Sequence, residues 1–191
     1  MAATTRDPSS PGKPLGPTGP AHWACPLAVI SRDQARMREI CDALDSVARA
    51  RTPDPDRAGQ ELRFLDADLA AHLRDETDDL FPLLRRRCPP EDDIARALDR
   101  IGTDLDAVRD CLPKVREILG ACLEAGRVPT APEADCLARF TRHTRRHVIA
   151  VKAILLPLAR ARLTPRDLQS LSLRMQARRG ITPEPEDPYA F

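Results

Sequence analysis

Aromatic residues are scarce in this 191-residue sequence, which holds one Trp, one Tyr and four Phe. A core of normal density must then come from Leu, Ala, Val and Ile, a profile that points to helices. No stretch alternates apolar and polar residues over β-branched positions, so strands are not expected. Long apolar runs are missing too. The longest, Ala153 to Leu158, is far too short to span a bilayer, and nothing near the N-terminus has the apolar centre of a signal peptide. A cytoplasmic protein with no membrane partner is the expectation. An excess of one charge is also absent: 30 Lys+Arg against 29 Asp+Glu leave +1, so no broad basic field marks a nucleic-acid partner. Six cysteines (Cys25, Cys41, Cys88, Cys111, Cys122 and Cys136) lie scattered without C-x-x-C spacing. Neither a zinc knuckle nor a thioredoxin-like motif is indicated, and reduced, mostly buried thiols are expected.

Proline, by contrast, is plentiful and sets the domain organisation. Residues 1–25 carry Pro8, Pro11, Pro14, Pro17 and Pro20 among glycines, a spacing that forbids helix and supplies little to bury, so a disordered arm is expected there. Residues 181–191, with Pro183, Pro185 and Pro188 among acids, read as a second tail ending in Tyr189 and Phe191. Residues 26–180 between them are expected to form one helical domain.

Four long amphipathic helices and a short fifth account for that domain. The first starts at Pro26, buries Leu27, Ile30, Met37, Ile40, Cys41, Leu44 and Val47, and ends before Thr52-Pro53. The second runs from about Arg57 to Arg87 and should bend at Pro82. The third follows Pro89-Pro90 and its acids, with a kink or break expected at Pro113. The fourth follows Pro132, its inner stripe comprising Leu137, Phe140, His147, Val151, Ile154, Leu155 and Leu158. Thr164-Pro165 opens the last helix, and Gly180 stops it. Four such stripes joined by short loops are buried most economically as an antiparallel four-helix bundle.

Within the Leu stripe of the second helix stand His72 and Glu76, four apart and therefore on one face. The fourth helix carries His143 and His147 at the same spacing. Imidazoles and carboxylates facing a bundle axis from different helices are how bundles hold metals. The same spacing is also common on solvated helix faces, and His143 stands among Arg139, Arg142, Arg145 and Arg146. Weaker features are Arg85-Arg86-Arg87, which complement the dipole at a helix end, and the thiols of Cys25 and Cys41 as candidate redox groups. No nucleophile–base motif or phosphate loop is present, so an enzyme is not expected.

Ala71-His72-Leu73-Arg74-Asp75-Glu76, Asp79-Leu80-Phe81-Pro82-Leu83-Leu84, His147 with Ile154-Leu155-Leu156-Pro157-Leu158-Ala159, and Met175 with Arg178-Arg179-Gly180 occur in that order. Over roughly residues 25–180 the chain thus resembles the hemerythrin-like, HHE cation-binding family. The resemblance implies a hemerythrin-like bundle with a short C-terminal fifth helix, enclosing a di-iron centre that binds oxygen, nitric oxide or peroxide, or handles iron. It also implies that His72, Glu76 and His147 occupy ligand positions. Three further positions depart: Gln34 follows Asp33 where a histidine is expected, Leu105 follows Asp104 in the same way, and Val151, ahead of Lys152, replaces a carboxylate.

Two close cations need bridging carboxylates and several imidazoles to offset their repulsion, and one carboxylate with two histidines is too few. The first expectation is therefore a domain that has lost its di-iron centre, binds no cofactor, and serves as a non-catalytic binding or regulatory module for an unidentified small ligand or protein. An alternative keeps a single iron or zinc ion on His72, Glu76 and His147 with His143 or the Gln34 oxygen, and binds or senses oxygen, nitric oxide or iron. A thiol-based redox sensor is a further alternative.

Overall fold

The structure is a computed structural model and describes Trp23 and residues 25–182. The expected arm falls outside these except for Trp23 and Cys25, and the expected tail except for Ile181 and Thr182. Trp23 is not part of a loose arm. It is buried, its carbonyl accepts a hydrogen bond from Ser172 Oγ at 2.7 Å, and Arg179 stacks over its ring.

The described residues are all-α. The order is α1 (Pro26–Arg49), α2 (Pro55–Arg74), a π-helical segment (Asp75–Leu80), α3 (Phe81–Arg87), a 3-10 turn (Pro90–Asp92), α4 (Ile94–Ala125), α5 (Ala131–Ala150), a second π segment (Val151–Leu155), α6 (Leu156–Arg162) and α7 (Pro165–Arg178). Among the described residues no helix is long and apolar enough to cross a membrane. The rods α1, α2–α3, α4 and α5–α6 form the bundle: α1 and α4 pack on α5, and α2 packs on α4 and α1. Local chemistry fixes the ends. Asp54 accepts from the Arg57 amide ahead of Pro55, and Thr130 and Thr164 form capping boxes with Glu133 and Asp167. Arg87 grips Asp167 with two hydrogen bonds of 2.8 and 3.0 Å, so one of the three exposed arginines ending α3 is tied to the start of α7.

Expectations about register and about a break at Pro113 need correction. The rods continue through Pro82, where a bend was expected, and through Pro157. Each lacks an N–H and crowds the carbonyl four residues earlier, and the helix responds by widening. The Phe81 amide reaches the Glu76 carbonyl and the Leu156 amide reaches the Val151 carbonyl, five residues back in both cases. That extra residue turns Ile154 out of the expected inner stripe, leaving it 41% exposed while Leu155 stays buried. At Pro113, α4 continues without a break, because the proline and Arg109, whose carbonyl it frees, lie on an exposed face open to solvent. The third long helix begins at Ile94, after Asp93 adopts a left-handed conformation at its N-cap (φ 45°).

Candidate metal centre

At one level of the largely apolar bundle core, ligand-type side chains from different helices meet. Helix α2 and the π segment that follows it bring His72 and Glu76 inward, and α5 brings His147 to meet them. All three are buried, Glu76 and His147 completely. One donor atom from each lies within 4.8 Å of the others. Glu76 bridges the imidazoles: Oε1 stands 3.4 Å from His72 Nε2, and Oε2 stands 2.7 Å from His147 Nε2. The second contact is close but too far off line for a ring N–H to donate, and both atoms lack a hydrogen-bond partner. Donors around a tetrahedral ion with bonds of about 2.1 Å are separated by about 3.4 Å, so three donors within 4.8 Å of one another can close on one first-row ion.

Gln34 on α1 supplies the fourth wall. It is buried, and its Nε2 lies 3.2 Å from His72 Nε2 and donates to Glu76 Oε1, while its Oε1 has no partner. Reversing the amide, a choice set by the surroundings rather than by shape, would turn an oxygen donor onto His72 and Glu76.

His143 does not join them. Its Nδ1 lies 2.9 Å from Asp104 Oδ1, near the surface between α4 and α5, where Arg146 also reaches Asp104. Leu105 and Val151 are buried in the apolar core, and Lys152 is exposed, so its ammonium does not point at the cluster.

Electrostatics keep the central carboxylate ionised. Burial alone would raise Glu76, but His147 and His72 on either side hold it below its ordinary value. Burial by itself would lower His72, yet Glu76 and Asp33 raise it. Asp33 Oδ2 lies 3.6 Å from His72 Nδ1 and 3.4 Å from Arg179 Nη2. Behind it is a cluster that sequence reasoning did not single out. Asp75 and Asp79, buried on the first π segment, meet Arg174, Arg178 and Arg179 of α7 and its C-terminus. The i, i+4 spacing of Asp75 with Asp79 and of Arg174 with Arg178 was the available signal. Burial pushes Asp75 up even against Arg179 and Arg178, which marks how completely water is excluded beside the site.

Of the two candidate redox thiols, Cys41 is corrected: burial pushes it up to about 12, leaving almost no thiolate at neutral pH. Cys25 is exposed.

Residues 25–159 match the Hemerythrin HHE cation binding domain. The chain belongs to that family. A comparison with curated proteins finds no match. Hemerythrin-like domains are generally binding and sensing modules rather than catalysts. In this member the set of ligands is incomplete, and the three that remain form a group able to coordinate one ion.

Proposed function

We propose that this hemerythrin-like domain holds one divalent first-row ion, zinc or ferrous iron, on His72, Glu76 and His147, with the Gln34 carboxamide oxygen as the fourth donor, and that it binds or senses the metal itself. The observation that carries this reading is the convergence of three buried donors within 4.8 Å, two of them unpartnered although only 2.7 Å apart. A second iron has nothing to hold it, because Leu105 and Val151 are hydrocarbon. Four protein donors make a closed site, unlike the open position that exogenous ligands need. The ion would supply charge that offsets Glu76 and a cross-link between helices. The chain's own residues orient it: Asp33 faces His72 Nδ1, which leaves Nε2 for the metal, and Arg179 steadies Asp33.

A second reading, a metal-free domain in which Glu76 simply pairs with the two imidazoles, is favoured by the same 2.7 Å approach to His147. Metal analysis of chain purified without chelator, followed by cobalt(II) titration read by visible absorption, separates the two. One equivalent with tetrahedral ligand-field bands, abolished in His72→Ala, supports the metal site. Folded wild-type chain that takes up no zinc, cobalt or ferrous iron refutes it.

A further inference from the structure

On the face opposite the α1–α2 side, α4 and α5 leave an open groove of about 830 Å³. Only three large apolar side chains are strongly exposed among the described residues, and two of them, Ile149 (65%) and Ile154 (41%), line it. Between them Ala150 and Ala153 keep the floor low, and Ala97 does the same on α4. Small residues flanked by exposed isoleucines on an otherwise charged surface suit the close approach of another helix.

We propose that this groove is a self-association surface that takes a second copy of the chain across a twofold axis. An isologous interface must complement itself, and here Asp93 and Arg100 do so in charge. Asp104 lies beside His143 and Arg146, which fixes how α4 and α5 are aligned. Because the helices run antiparallel, counting back from that level places Arg96 and Ala97 beside Val151 and Lys152. A twofold axis lying across both helices there stacks α4 on its copy and α5 on its copy, each antiparallel. On α5 that single operation sets Ile149 against Ile154 of the other copy, and Ala150 against its Ala153. On α4 it sets Asp93 against Arg100.

Those two charges are available. Asp93 has only a 3.9 Å contact with Arg96, both largely exposed, and Arg100 makes no ion pair among the described residues. Asp92 and Asp104 are already held by Arg162 and by Arg146 with His143, so they do not compete. A foreign partner would have to reproduce this alternation, whereas a second copy brings it. The face is two short helical stretches wide, which places the dimer in the small, concentration-dependent class of interfaces.

Sedimentation velocity of the full chain in reductant, across roughly 10 to 500 µM, tests it, since interfaces of this size associate weakly. Wild type is expected to shift from monomer to dimer over that range. Ile149→Asp should remain monomeric throughout, while Leu173→Asp, altering the exposed leucine outside the groove, should behave as wild type. The charge test is sharper. Asp93→Arg alone and Arg100→Asp alone should each dimerise at least tenfold more weakly, and an equimolar mixture of the two should regain the dimer, because the mixed pair sets Arg against Asp at both contacts. A wild-type chain that stays monomeric, a dimer indifferent to Ile149→Asp, or a mixture no better than its components overturns the proposal.

Discussion

Saturating the site with an ion should raise the melting temperature by an amount that can be worked out in advance. The donors come from α2 with its π segment and from α5, so their convergence exists only in the folded chain. A ligand bound only by the folded state, present at a hundred times its Kd, stabilises by about 2.7 kcal/mol. For a domain of this size each kcal/mol moves the midpoint by about 2–4 °C, so the expected rise is about 5–11 °C. The assay is thermal unfolding followed by circular dichroism with zinc, cobalt(II) and, without oxygen, ferrous iron. His147→Gln should flatten the response, judged by the shift rather than by the starting midpoint. Cys25→Ser, which removes the exposed thiol as an adventitious ligand, should leave it intact. If no ion moves the wild-type midpoint, or if His147→Gln responds as fully as wild type, the donors do not act together and the site reading fails.

Restoring donors by Gln34→His, Leu105→His and Val151→Glu should lower the metal-free midpoint, because two polar groups replace buried hydrocarbon at roughly 1–3 kcal/mol each. Ferrous iron should then bind at two equivalents per chain by metal analysis, with exposed Lys152 no obstacle. Arg178→Leu leaves buried Asp75 with Arg179 alone, at 2.7 Å, and strips Asp79 of one partner. A loss of about 3 kcal/mol in urea unfolding is expected, the lower end for a broken buried pair. Iodoacetamide at pH 8 should label native Cys25 and spare Cys41 until the chain is unfolded, as peptide mass spectrometry will read. Glu133 is held down to about 2 by Arg127 and by the Thr130 amide, so its contribution is full above the ordinary carboxylate range and is lost as pH falls through about 2. Glu133→Gln should therefore melt below wild type at pH 7, and the gap should close on acidification towards pH 2.

The helices and their caps were legible because they depend on local chemistry. Pro26 and Pro165 sit at first helical positions as expected, Pro55 opens α2 two residues ahead of the expected Arg57, Thr164 caps its helix, and Gly180 adopts positive φ past the end of the last. The pairing of His72 with Glu76 was legible for the same reason, a spacing of four on an apolar stripe. Its meeting with His147 rests on the resemblance, since nothing in either segment states which helices are neighbours. The placing of His143 was open for a physical reason. It shares a helix with His147, and only the position of Asp104 on α4 decides that its ring is held at the groove rim. Trp23 was misjudged because prolines before it argue for a loose chain, while its partners Ser172 and Arg179 lie some 150 positions away.

The second π segment explains why one expectation failed and where the groove's exposed isoleucine comes from. A proline alone does not require a widened turn, because a helix can kink instead. Here both flanks of the second segment are fixed. Upstream, His147 and Val148 are buried against the axis. Downstream, Leu155, Leu156 and Ala159 are buried, and Arg162 is clamped to Asp92 by two hydrogen bonds of 2.8 Å. The chain between these anchors has one residue more than a straight α-helix would hold, and the i to i−5 bond from Leu156 to Val151 absorbs it. Each residue turns the helix by about 100°, so the insertion rotates everything beyond it relative to the α-helical pattern. Val151 stays on the inner face one turn past His147, where it helps close the site, and Ile154 is swung outward to stand with Ile149 over the alanine floor. Reading both as ordinary α-helix places Ile154 in the core and leaves the outer face unremarkable. The insertion therefore leaves Val151 where regular helix sets it and, beyond that point, builds the surface proposed for a second copy of the chain.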